Sequence, residues 1–303
     1  MRKYILFIGF AFLLLGCGCS SDSGSSFMDY NPDLPTNPTP NPDPDPDPDP
    51  NAIYQIPEAV APYYATIDFK KSSAALQSDL SKLTETKHSH RLTYDGLWEV
   101  LQVTDLTPAK NEVYLLYGHK GILQGEKAYT RGKNQHGGRD GQWNREHTYA
   151  RSLGTPNLQY SNTGANEDAH HIRPADVQWN AKRGNKKFAT GSGVSGDVEH
   201  GWYPGDEWKG DVARMMLYMY LRYPTQCLPT NVAVGQTNSR DKHMINLLLQ
   251  WNAEDPVSPI EVQRNDYLSR PDVQGNRNPF IDNPHLATKL WGGPEAENKW
   301  ALN

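Results

Sequence analysis

The chain has 303 residues, 37% of them hydrophobic and 21% charged, with a formal net charge of -5 and 3 cysteines. Only Cys227 lies in the stretch able to fold, which excludes a disulfide pair or a thiolate zinc set there and leaves burial to stabilise the fold. Setting aside Arg2, Lys3 and the seven aspartates from Asp22 to Asp49, 28 basic and 28 acidic residues remain, so the folding part is neutral.

Arg2 and Lys3 precede an apolar run from Ile5 to Leu15 that is too short to span a bilayer as a helix, and residues 1–16 read as a signal peptide. Leu14-Leu15-Gly16-Cys17 has the form of a bacterial lipobox, which predicts cleavage before Cys17 and a lipid anchor on that cysteine; an ordinary secretory signal is the alternative. Residues 17–51 are rich in Ser, Asn, Pro and Asp, have almost nothing to bury, and read as a disordered stalk. The expected location is the cell envelope, as an outer-membrane lipoprotein facing the periplasm or the exterior. Residues 52–303 are enough for one domain with its own core.

Within that domain Leu76, Leu80 and Leu83 predict an amphipathic helix over Ser73 to Lys87, and Tyr94 to Val103 predicts another. Val113 to Tyr117 reads as a strand leading into a polar, Gly-rich loop from Tyr129 to Gly141. Trp143 to Tyr149 and Ala169 to Arg173 read as two extended segments forming a hairpin-like pair. Pro174 then opens a helix to about Lys182, on which Asp176, Asn180 and Arg183 share a face. Further helices are expected at Asp211 to Tyr223, Asp241 to Trp251, Ile260 to Leu268 and Leu286 to Trp291, with an ordered loop from Gln274 to Pro284. Strands among many helices, without βαβ alternation, predict an α+β, mostly helical fold.

Chemistry concentrates in Trp143-Asn144-Arg145-Glu146-His147 and in Asp168 to Asn185. Residues 119 to 190 carry 12 Lys/Arg against 6 Asp/Glu, as an anionic substrate would require. For phosphodiester hydrolysis, His147 can be the general base, being largely neutral at pH 7 if its pKa stays near ~6.5. Glu146 and the amide oxygen of Asn180 are hard donors suited to Mg²⁺, with Ca²⁺ or Mn²⁺ as substitutes. Arg173 and Arg183 can grip phosphate in a bidentate fork, and Arg145, Lys186 and Lys187 extend the basic surface towards nucleic acid. Neighbours on a regular strand point to opposite faces, so Glu146 and His147 need a kink to serve one substrate. Two other readings are a zinc set of His147, His170, His171 and Asp168, and a stalked binding module without catalysis whose contact face is Gln274 to Pro284.

Trp143-Asn144-Arg145-Glu146-His147, Asp168-Ala169-His170-His171-Ile172-Arg173-Pro174, Asn180 with Arg183-Gly184-Asn185, Gly210-Asp211-Val212-Ala213-Arg214 and Gln274 to Asp282 together resemble bacterial endonuclease I. The resemblance spans roughly residues 60 to 290. It implies a His-Me finger, or ββα-metal, nuclease: a Mg²⁺-dependent endonuclease cutting DNA, and RNA as a further substrate, with little sequence preference. It implies His147 as general base, Glu146 and Asn180 as metal ligands, and a kinked strand between Glu146 and His147. Ala150 stands where that family often has proline, and the disulfides of some secreted relatives are absent.

Overall fold

The computed structural model describes residues 54–159 and 164–301. The signal peptide, Cys17 and the stalk expected over residues 1–51 lie outside the described residues. Among those described, ten helices and six short strands combine into an α+β architecture.

The first layer is α1 (Ala61–Tyr64), α2 (Ser73–Lys87) and α3 (Leu97–Thr104), followed by the strands β1 (Glu112–Tyr114) and β2 (Thr130–Gly132), which pair antiparallel. Next come β3 (Trp143–His147), β4 (Ile172–Asp176) and the helix α4 (Val177–Arg183). A small antiparallel pair, β5 (Gly196–Val198) with β6 (Gly201–Tyr203), separates them from a helical half. That half contains α5 (Lys209–Arg222), α6 (Pro229–Val232), α7 (Asn246–Glu254), α8 (Pro259–Leu268), α9 (Pro279–Asp282) and α10 (His285–Trp291). None of the described helices is long and apolar enough to cross a membrane.

Every residue of α5 except Lys209 is buried, and the helix packs against α7, α2, α9 and α6. Met215, Met216 and Met219 fill its apolar contacts, as expected of a methionine stripe in a core. Asp211, Arg214 and Tyr218 on the same helix are buried as well, so each needs a partner: Asp211 accepts from Arg173 of β4, Tyr218 donates to Asp168 just before β4, and Arg214 donates to Glu261 of α8. A second, smaller cluster gathers Leu97, Leu101, Val113, Trp143 and Ile172 beneath that pair. Strands β3 and β4 thus lie between two cores, one on each side.

Several expectations need correction: the run Tyr129 to Gly141, expected as loop, holds β2 at Thr130–Gly132, and the expected loop Gln274 to Pro284 holds α9 at Pro279–Asp282. The helix foreseen from Pro174 starts at Val177, because Pro174 and Asp176 belong to β4; proline's missing amide is tolerated opposite Arg145, and Asp176 caps the helix by accepting from the amides of Gln178 and Trp179. The helix foreseen over Asp241 to Trp251 runs three residues beyond Trp251 and starts only at Asn246, since Asp241 is used instead to accept from the His243 amide and the Tyr220 hydroxyl. The loop from Gln274 is ordered, as expected, but Gln274, Asn276 and Asn278 are fully buried and bonded to Asp168, Tyr218 and Arg214, so it is an internal strut and no contact face.

Candidate active site

Strands β3 and β4 pair antiparallel over five residues in unbroken register, from Trp143↔Asp176 to His147↔Ile172. The kink implied between Glu146 and His147 is not present as a bulge in this ladder, and the period-two rule holds. Trp143, Arg145 and His147 turn towards α3 and its approach, where Trp98 and Tyr94 meet them. Asn144 and Glu146 turn to the other side, where Asn180 and Arg183 of α4 meet them.

His147 Nε2 lies 2.9 Å from the carbonyl oxygen of Asn166. A carbonyl only accepts, so Nε2 carries the proton and Nδ1 carries the lone pair. The ring stacks on Tyr94 at 5.6 Å and 23° and meets His171 at 5.5 Å. Burial, with the neighbouring His171 second, pushes its pKa down to about 3, so the imidazole is neutral far below the value of a free histidine expected from the sequence. Tyr94 is itself held by Arg145, whose guanidinium sits 3.5 Å from the Tyr94 ring centre and 4.0 Å from that of Trp98 and donates to the Tyr94 carbonyl. Arg145, expected on the nucleic-acid surface, is therefore the filling of an aromatic sandwich behind the imidazole.

Glu146 is 2% exposed. Its Oε1 accepts from the Tyr117 hydroxyl at 2.8 Å and lies 3.1 Å from Arg183 Nη1. Tyr117 is held at a φ of 71°, a sparsely populated conformation for a residue with a side chain. Burial raises the carboxyl pKa of Glu146 despite the opposing Arg183 and Tyr117. Arg183 is fully buried and also donates to the carbonyls of His147 (3.0 Å) and Thr148 (2.8 Å). Its expected role at the nucleic acid is thereby overturned: it locks the end of β3 and neutralises Glu146 from inside.

The donor set suits a hard cation. All the contacts to Glu146 fall on Oε1, leaving Oε2 without a donor among the described residues. Asn180 is half-buried and spends its amide nitrogen on Asn144 Oδ1 at 2.7 Å, which frees its oxygen. One carboxylate oxygen and one amide oxygen would leave most positions of a Mg²⁺ shell to water and substrate, as that ion prefers. The zinc alternative fails on geometry. Among the described residues no three His, Cys, Asp or Glu side chains form a metal cage. His170 bonds the Asn276 carbonyl and His171 the Ala165 carbonyl, while Asp168 accepts from Tyr218, Tyr223 and Gln274.

Arg173, expected to grip phosphate, is 1% exposed; its Nε donates to Asp105 and its Nη1 to Asp211 at 2.9 Å. It cannot reach a substrate, because β4 turns it into the layer between α3 and α5. Lys186 is paired with Asp197 at 2.7 Å, and Lys187 donates to the Thr230 carbonyl at 2.8 Å, so both are partly committed. Sequence reasoning missed Tyr94, Tyr117 and Asn166. Tyr117 and Tyr94 looked like ordinary aromatics of a strand and a helix, and Asn166 contributes only a backbone carbonyl, which carries no sequence signal.

Comparison with known proteins identifies the family. The model of the endonuclease I family matches residues 72–285. An extracellular ribonuclease of Bacillus amyloliquefaciens is 38% identical over 232 residues, covering 73% of this chain and 75% of that protein. An extracellular ribonuclease of Bacillus subtilis (strain 168) is 36% identical over 245 residues, covering 76% and 81% respectively. The span matched includes both strands, the helix that follows them and every residue placed above around His147 and Glu146. The chain belongs to the endonuclease I family and is a nuclease.

Proposed function

We propose that this chain is a secreted, Mg²⁺-dependent endonuclease that hydrolyses phosphodiester bonds in RNA and DNA with little sequence preference. His147 is the general base, and Glu146 and Asn180 hold the metal. The observation that carries this reading is the pinned tautomer of His147, with Nε2–H on the Asn166 carbonyl and Nδ1 left as a base, one residue along β3 from a carboxylate with one free oxygen.

A bound Mg²⁺ would stabilise negative charge on the phosphate and leaving oxygen. His147 Nδ1 removes a proton from water as the water attacks phosphorus. The Asn166 carbonyl then stabilises the imidazolium through Nε2–H. The nucleophile being water, no 2′-hydroxyl is consumed, so both nucleic acids are substrates. RNA is placed first because the two relatives carry the name extracellular ribonuclease. That name and the signal-like residues 1–16 support export, and Cys17 supports a lipid anchor holding the nuclease at the outer membrane. Cys17→Ala should then move the protein from the membrane fraction to the soluble fraction; unchanged partitioning removes the anchor from the proposal.

The catalytic assignment is tested with RNA and supercoiled plasmid, with and without EDTA, and with calorimetry of Mg²⁺ binding. His147→Ala should lose roughly 10²-fold or more in rate while retaining the metal. Glu146→Ala and Asn180→Ala should weaken the metal, with excess Mg²⁺ restoring part of the activity of at least one. Loss of the metal in His147→Ala, together with full metal binding and activity in Asn180→Ala, would defeat the assignment.

A further inference from the structure

With Arg145, Arg173 and Arg183 turned inward, the cations that meet the substrate must come from elsewhere. Trp179 on α4 carries two ammonium groups over its ring: Lys127 Nζ at 4.8 Å from the centroid and Lys182 Nζ at 4.5 Å. Neither has an ion pair or a hydrogen-bond acceptor for its ammonium among the described residues, in contrast to Lys186 with Asp197. Two like charges over one indole repel, and the electron-rich ring offsets only part of that repulsion. A polyanion would offset the rest.

The platform is fixed relative to the carboxylate. Trp179 Nε1 donates to Ser195 Oγ at 2.8 Å, Ser195 Oγ donates to the Tyr117 carbonyl at 2.6 Å, and the Tyr117 hydroxyl donates to Glu146 at 2.8 Å. Trp202 packs edge-on against the same indole at 5.2 Å. Lys182 shares α4 with Asn180, and Lys127 closes a loop that opens just after Tyr117. The two ends of that loop cross at Gly118, where a Cβ would stand 2.3 Å from the Ala128 carbonyl, and Trp208 Nε1 donates to the Gly118 carbonyl at 2.7 Å. Both lysines are therefore tied, through Trp179, Ser195 and Tyr117, to the same framework that holds Glu146.

We propose that Lys127 and Lys182, seated on Trp179, form a clamp for the phosphodiester backbone of a nucleic-acid strand. The inference rests on the nuclease reading above for the identity of its ligand. The clamp reads charge and spacing, not bases, so it contributes affinity without sequence preference. Lys186, already neutralised by Asp197, contributes less.

The test is anisotropy of a short labelled single-stranded RNA with full-length His147→Ala protein in EDTA, titrated over a range of salt. Lys127→Gln and Lys182→Gln should each reduce the slope of log K against log salt by about 0.7, the value for one phosphate contact on a single strand. The double variant should lose about twice that, and Lys182→Arg should retain the parent slope. Unchanged thermal melting shows that the variants are folded. A double variant with the parent's slope and affinity overturns the clamp, as does a Lys186→Gln variant that loses as much slope as Lys182→Gln. Cleavage by the wild-type protein with Mg²⁺ is measured in parallel. Cleavage with unchanged slopes defeats the clamp alone, whereas reduced slopes without cleavage support the clamp and defeat the catalytic reading.

Discussion

Glu146 and Arg173 face each other across the β3–β4 register, yet each belongs to a different kind of charge cluster. Arg173 is paired with Asp105 and Asp211; Asp105 also holds Arg264, and Arg214 on the same helix as Asp211 is bound to Glu261 at 2.6 and 2.7 Å. Three arginines and three carboxylates close on one another, all buried. Glu146 has one arginine and one tyrosine, both on the same oxygen, and its other oxygen is uncommitted. The first cluster joins β4 to α3, α5 and α8, and its carboxylates are taken up by its own arginines, although Arg173 Nη2 is left without a partner among the described residues. In the second, Glu146 Oε2 accepts from no donor among the described residues. Density of charge thus says little about function, whereas an open oxygen on a fixed carboxylate is a position that a hard cation can use.

The largest test of this contrast is Arg173→Ala. It leaves Asp105 with one arginine, Arg264, and Asp211 with only Arg214 at 4.0 Å, so urea unfolding should show a loss of about 3–5 kcal/mol, enough to abolish folding of a marginal domain. A near-native midpoint would break the contrast. Glu146→Gln should act mainly on activity. It keeps the shape but leaves the buried Arg183 without its counter-charge, so stability should fall by about 1–3 kcal/mol, less than in Arg173→Ala, while nuclease activity collapses with the metal site. Retained activity would show that the open oxygen has no function.

Acid should sharpen the comparison further. Burial lowers the pKa of His170 and of His171 to about 4 and that of His147 to about 3. The unfolded chain binds protons near ~6.5, so the stability these neutral rings contribute is full above that pH. It declines as pH falls from there through the folded values, at up to about 1.4 kcal/mol per pH unit for each ring. Asp168, whose carboxyl is held low against its own burial by His88, His170, His171 and Gln274, adds a loss at still lower pH, where the unfolded chain binds a proton on this aspartate and the folded form does not. Equilibrium unfolding between pH 7 and pH 4 checks the sign; stability flat over that window would contradict it. The rate should meanwhile persist below 6.5, because His147 remains unprotonated there.

The smallest expected effect concerns the stack behind the base. Tyr94→Leu removes a ring contact worth about 0.5–1.5 kcal/mol, so kcat should fall by up to about 10-fold with KM and Mg²⁺ affinity preserved, and Tyr94→Phe should restore it. A loss in KM alone would place Tyr94 at the substrate instead of behind His147.

Much of the helical frame was legible because helices advertise themselves locally. Ser73–Lys87 matches its predicted limits, and Pro259–Leu268 and His285–Trp291 each begin one residue early, since leucine spacing, a serine cap and prolines act within a few residues. The pair of extended segments was legible too, apart from the turn at Ala169–His171 that precedes β4. The fate of the arginines was not. Arg145, Arg173 and Arg183 look alike in a sequence, but one is sandwiched by aromatics, one is enclosed by Asp105 and Asp211, and one backs Glu146.

The sequence by itself determined the α+β composition, the two segments that carry the chemistry, and the family to which they belong, because those depend on residue type and short-range spacing. Only the tertiary structure decided which groups are spent and which are free. Whether a guanidinium meets solvent or a buried aspartate depends on partners such as Asp105, 68 residues away from Arg173, and on a backbone carbonyl such as that of Asn166, which any residue could supply. Burial likewise moved His147 from the free-imidazole range to about 3, a shift set by the surrounding low-polarity packing and absent from any local pattern.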